Sequence, residues 1–156
     1  MTAALGKSIN LGATFCIEVA PTWKAADEGL PPTALDYAAA LRERTRKFAI
    51  RIVKLCDSLP SGDTARTIRR QLLRSGTSVA ANYRAVCRAR SKPEFLAKMG
   101  VVVEEADETA FWLEFLVDVG LVPTRRMQPL LNEANELLAI FAGSLRTART
   151  SVLPAQ

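Results

Sequence analysis

The chain has 156 residues, 49% hydrophobic and 24% charged, with a net charge of +5, which fits one globular domain rather than a disordered tract. With no histidine and only Cys16, Cys56 and Cys87 as cysteines, none in CxxC spacing, no common zinc site is expected, and the thiols read as reduced and buried in a cytoplasmic protein. Leu, Ala, Arg and Glu dominate where strands would want Thr, Tyr and Ile, so an all-α fold is expected, and no apolar run approaches the ~20 residues of a membrane span.

Residues 1–33 show no helical period and end in GLPP, so they read as a weakly structured arm or an upstream extension. A first helix is expected from about residue 34 to 58. Leu41, Thr45, Phe48, Ile52 and Leu55 lie on one of its faces, and Arg44, Lys47, Arg51 and Lys54 on another. LPSGDT stops it, and Asp63 is the expected N-cap of a second helix running to about residue 90. In SKPE, Ser91 and Glu94 have capping-box spacing and Pro93 suits a first turn, so a third helix follows, ending at Gly120 as a C-terminal cap. Thr124 is the expected cap of a fourth helix with Met127, Leu130, Leu131, Leu138, Phe141 and Leu145 as its stripe. Four helices with short connections predict an up-down-up-down antiparallel four-helix bundle over residues 34–150, with 151–156 as a tail.

Charge is segregated along the chain. From Arg42 to Lys92 there are fourteen Lys or Arg against Glu43, Asp57 and Asp63, whereas Glu94 to Asp118 carries seven acids against Lys98 alone. At about 100° per residue, with Arg66 at zero, Arg84 falls near 0°, Arg70 and Arg88 near 40°, and Arg74 near 80°. Ile68, Leu72, Val79, Tyr83 and Val86 fall between about 200° and 260°, on the opposite side. The second helix is therefore expected to bury one face and to present Arg66, Arg70, Arg74, Arg84 and Arg88 as a ridge on the other. A purely solubilising face usually mixes signs, and this one carries almost no acid. Ser75 and Gly76 flank the apolar stripe and invite close approach by a neighbouring helix, within the chain or across a subunit contact. Asn82 projects to the edge of the core, where its amide needs partners.

The third helix has two faces to occupy. Phe95, Met99, Val102, Ala106, Thr109, Leu113 and Leu116 form a core stripe, while Glu104, Asp107, Phe111, Glu114 and Asp118 form another. Phe111 and the adjacent Trp112 are large and apolar for an acidic, solvent-facing side, which marks them as a subunit contact.

The stretch from RRQLLRSGTSVAANYRAVCRARSKPEF to the end of the third helix resembles the four-helix-bundle family named for proteins encoded within intervening sequences of 23S rRNA genes. The resemblance rests on Gln71, Leu72, Arg74, Ser75, Ser78 and Asn82, then Ser91, Lys92 and Phe95, then Glu105, Glu108, Trp112 and Leu113, and covers about residues 40 to 148. It implies a small bundle assembling into a ring, typically a homopentamer, with no enzymatic activity. One branch of that family is the accessory variability protein of diversity-generating retroelements, which binds a reverse transcriptase and nucleic acid. The chain departs from that branch at Ala85, where an acid is usual, and at Glu104, where a lysine is usual.

Two functions follow as expectations. The first is a non-enzymatic oligomer that binds RNA or DNA through the arginine ridge, as an accessory factor of a reverse transcriptase, by charge and shape rather than base readout. The second is a structural or adaptor bundle whose ridge meets an acidic protein. Catalysis is not expected: a di-iron bundle needs Glu-x-x-His pairs, and no phosphate loop or nucleophile elbow is present. No cofactor and no metal are expected.

Overall fold

A computed structural model describes residues 34–150, all of which fall in four helices and the turns between them: α1 (Ala34–Asp57), α2 (Asp63–Val86), α3 (Lys92–Asp118) and α4 (Thr124–Thr150). The expectations for residues 1–33 and 151–156, and for Cys16, lie outside the described residues. Each helix packs on its neighbour in sequence, and α1 closes against α4 along the thinnest seam. That cyclic order with short turns is the up-down-up-down bundle.

The core is the set of apolar stripes meeting in the centre. Phe48 and Ile52 of α1, Leu72, Val79 and Tyr83 of α2, Phe95, Met99 and Leu113 of α3, and Met127, Leu137 and Phe141 of α4 are essentially sealed from solvent. Tyr83 and Phe141 pack with ring centroids 5.4 Å apart. The stripes of α2 and α3 are buried as their periodicity requires. In α4 the small residues Ala134, Gly143, Ser144 and Ala148 complete the buried face.

Gly76 is where α1 and α2 approach most tightly. A Cβ built there would sit 2.8 Å from Ile52 Cγ2 and 2.9 Å from Cγ1. The close approach expected around Ser75 and Gly76 is thus made within the chain. Both remaining thiols are buried. Burial pushes the Cys56 thiol up to about 11 and raises that of Cys87, leaving neither as a ready nucleophile.

The helix ends follow the local chemistry with two adjustments. Ser91 Oγ accepts from the Glu94 N–H at 3.3 Å with Pro93 in the first turn, and the Glu94 carboxylate accepts from the Arg90 N–H at 2.8 Å. After α3 the Leu121 N–H donates to Leu116 O, the Gly120 N–H donates to Val117 O, and Gly120 has φ 73°. These are the paired bonds of a glycine-terminated helix. At α2 the cap is Gly62 rather than Asp63: its φ 147°, ψ 157° is a glycine conformation, and Asp63 becomes the first helical residue, paired with Arg66 at 3.0 Å. At α4 Thr124 is likewise already helical, and the Pro123 carbonyl accepts from Arg126 and Met127.

Candidate nucleic-acid interface

α2 contains a single acid, Asp63, at its first turn, so its solvent face carries cations with few local partners. Arg66, Arg70, Arg74, Arg84 and Arg88 are all exposed. Arg70 and Arg84 meet no carboxylate among the described residues, and the Arg88 Nε donates only to the Arg84 carbonyl, at 3.4 Å. Arg66 is held loosely by Asp63 in an exposed pair, which contributes little. Arg69, on the α1 side, donates from Nη2 to the carbonyls of Leu59 at 2.7 Å and Pro60 at 3.3 Å, and so belongs to the α1–α2 turn.

Arg74 stands apart from the other four. Its Nη1 lies 3.3 Å from Glu105 Oε2, its Nη2 donates to Glu108 Oε1, and its Nε donates to Gln71 Oε1 at 3.4 Å. The Trp112 indole N–H donates to the same Glu108 oxygen at 3.1 Å. The hydrogen bond from Arg74, helped by that indole, holds the Glu108 carboxyl below the usual carboxylate range against the opposing effect of burial. Gln71, Arg74, Glu105, Glu108 and Trp112 therefore form one strut between α2 and α3. Ser78 and Asn82 follow Gln71 along the same edge of α2 by helical projection; both are half-buried, and no hydrogen-bonding partner engages the Asn82 amide among the described residues.

A second group of cations emerges only from the topology. The antiparallel order brings the end of α2, the turn to α3 and the end of α4 to one pole of the bundle, where Arg84, Arg88, Arg90 and Lys92 join Arg146 and Arg149. The nearby Glu94 is occupied by Lys98 at 2.7 Å and Arg90 at 3.6 Å. The hydrogen bond from Lys98, then that from the Arg90 backbone, takes its carboxyl down to about 2. Arg146 and Arg149 are exposed and meet no carboxylate among the described residues.

The outer face of α3 has the opposite character. Glu104, Asp107, Glu114 and Asp118 are exposed there, together with Val101, Val119 and Phe111, which is 51% exposed. Phe111, Trp112 and Phe115 form an aromatic cluster with centroids 4.8 to 5.9 Å apart. Phe111 is its open member, while Trp112 is half-buried and tied to Glu108. Ala85 and Glu104 do not face each other within the chain, because the Arg74–Glu105 register leaves them on the order of two helical turns apart. Among the described residues no three His, Cys, Asp or Glu side chains converge as metal ligands, and no helix is long and apolar enough to cross a membrane.

Three comparisons bear on this arrangement. The family model described as 23S rRNA-intervening sequence protein matches residues 39–143. A solved structure from Bacteroides thetaiotaomicron, described as a protein of unknown function from the S23 ribosomal protein family, is similar with a TM-score of 0.65 and 28% identity, over 70% of this chain and 97% of that one. No curated protein matches the chain.

Proposed function

The chain belongs to the 23S rRNA-intervening sequence protein family, and we propose that within it the protein is a non-enzymatic, self-associating bundle that binds nucleic acid through the arginine face of α2. The observation that carries this reading is the state of Arg70, Arg84 and Arg88: exposed, aligned on one helix face, and without a carboxylate partner. A guanidinium fork matches phosphate geometry and remains charged at every physiological pH. From Arg66 to Arg88 the ridge runs about 33 Å, long enough to follow a nucleic-acid backbone, and it has no element shaped to enter a groove and read bases. Recognition then rests on charge and shape. A reverse transcriptase held on its template fits this reading as a protein partner, and a homopentameric ring would multiply the arginine surface.

The test is a salt titration of RNA and DNA binding. The parent should weaken log-linearly with salt, and Arg70→Glu with Arg84→Glu should abolish binding while far-ultraviolet dichroism and Tm stay near parental values, since both side chains point away from the core. Binding that survives the double reversal, or a parent with no salt-dependent affinity for either nucleic acid, would remove the α2 face from this role. If poly-glutamate binds where nucleic acid does not, the protein is an adaptor for an acidic partner.

A further inference from the structure

The arginine face of α2 is not evenly charged. In the frame that sets Arg66 at zero, Thr77 projects to about 20° and Ala81 to about 60°, so both stand on the line from Arg66 to Arg88, and neither carries a charge. Arg74 is the cation closest to this middle stretch, and it is drawn off to Glu105 and Glu108 of α3. Two groups of cations remain on the line. Arg66, in its exposed pair with Asp63, and the unpaired Arg70 lie toward the start of α2. Arg84 and Arg88 lie toward its end, on the side of the pole that carries Arg146 and Arg149. From Arg70 to Arg84 the helix rises about 21 Å.

The stretch between the groups offers a phosphate nothing to bind. Ala81 is exposed and Thr77 half-buried, and the Thr77 hydroxyl spends its proton on the helix, donating to the Leu73 carbonyl at 2.7 Å. Leu73 beside them is 37% exposed. A single strand carries a phosphate about every 3.4 Å, so roughly six of them would cross the gap without a partner, and ordering that stretch opposes binding. A double helix meets the same pattern differently, because it holds two rows of phosphates at a fixed distance on either side of a groove. In B-DNA the major groove is about 12 Å wide, which sets the facing rows roughly 18 Å apart once the phosphates' own width is added. A-form RNA presents its wide, shallow minor groove in the same manner. Long side chains rooted about 21 Å apart on one rigid helix can meet both rows at once.

We propose that α2 lies across a groove of a double-helical nucleic acid, with Arg66 and Arg70 on one phosphate row, Arg84 and Arg88 on the other, and Thr77 and Ala81 over the groove between them. The inference rests on the nucleic-acid reading above and deepens it by naming the duplex as the substrate class. Withdrawal of Arg74 into the strut clears the middle of the ridge. DNA and RNA duplexes share the pair of facing phosphate rows, so both serve as probes.

The test sets the full-length protein against a short duplex and a single strand with the same number of phosphates, in DNA and in RNA, so that phosphate count favours neither. The parent should bind at least one duplex about tenfold more tightly than its matched strand, because the duplex is already ordered. Thr77→Arg with Ala81→Arg makes the ridge continuous, and should raise strand affinity far more than duplex affinity and bring the two together. Arg84→Glu with Arg88→Glu removes one group and should drop duplex affinity to the level of the strand. Circular dichroism checks that each variant is folded; should the continuous-ridge variant lose helicity, the exposed Ala81→Arg alone replaces it. Equal affinity of the parent for duplex and strand in both DNA and RNA overturns the bridging geometry. So does a continuous ridge that strengthens both by the same factor, or a one-group reversal that weakens both by the same factor. If binding in those cases still falls with salt, the nucleic-acid reading stands without the duplex. A parent with no salt-dependent affinity for any of the four ligands ends both.

Discussion

Glu108 receives one bond from the guanidinium of Arg74 and another from the indole of Trp112, and that double occupancy decides what Arg74 does. A guanidinium shared between two carboxylates has little left to offer a phosphate, so Arg74 acts as a strut while Arg70, one turn earlier, stays available. The two arginines should therefore separate under mutation. Arg74→Met should lower Tm by more than Arg70→Met, and Arg70→Met should weaken RNA binding by more than Arg74→Met. The pH dependence has a definite sign. Because the folded-state Glu108 carboxyl lies below its unfolded value of about 4.3, the strut stabilises fully above that pH and loses its contribution as pH falls through the lower folded value. The Tm gap between parent and Arg74→Met should be widest near neutrality and close under acid conditions. A gap that persists unchanged to low pH would mean that Arg74 stabilises by packing alone. Helical projection placed Arg74 only about 40° from Arg70. That small offset sends its side chain to α3, and one-dimensional periodicity does not say which neighbour waits on that side.

At the scale of the helices, close packing at Gly76 is the feature most open to test. Alanine would gain about 1 kcal/mol in helix propensity but would drive a methyl into the Cβ-branched Ile52 at a separation that real Cβ atoms avoid. Overpacking of this kind costs roughly 1 to 3 kcal/mol, so the net effect of Gly76→Ala should be a loss of up to about 2 kcal/mol. In an Ile52→Ala background the same change should be neutral or stabilising, since the obstructing branch is gone. Equal losses in both backgrounds would place the cost elsewhere. Most of each helix was legible because the relevant chemistry is local: the stripe of α2, the Ser91–Glu94 cap and the glycine stop at Gly120 need only residues within a turn or two. The two start residues that slipped by one have equally local causes. Gly62 adopts a conformation closed to Asp63, and Pro123 opens α4 ahead of Thr124. Across the α1–α4 seam, Arg44 forks onto Glu133 at 2.7 and 3.0 Å and reaches Glu136 at 2.6 Å. Those partners are about ninety residues apart in the chain, and no spacing rule connects them.

For the whole molecule, what matters is which cations the fold gathers. Arg149 lies in the last turn of α4 and Arg146 just before it, both beyond the residues matched by the family model, and at first sight they only complement the helix dipole, an effect of a few tenths of a kcal/mol. Only the antiparallel topology sets them at the pole occupied by Arg84, Arg88 and the α2–α3 turn, which is why the linear sequence pointed to α2 alone. If the binding surface wraps from the ridge onto this pole, Arg146→Ala with Arg149→Ala should leave Tm within about a degree of the parent while reducing affinity for duplex DNA at low salt. Each phosphate contact contributes about 0.9 to the slope of log affinity against log salt. Losing both arginines should then flatten that slope by up to roughly 2, in addition to any change caused by Arg70→Glu and Arg84→Glu. An unchanged slope would confine the interface to α2 and return the α4 arginines to dipole compensation.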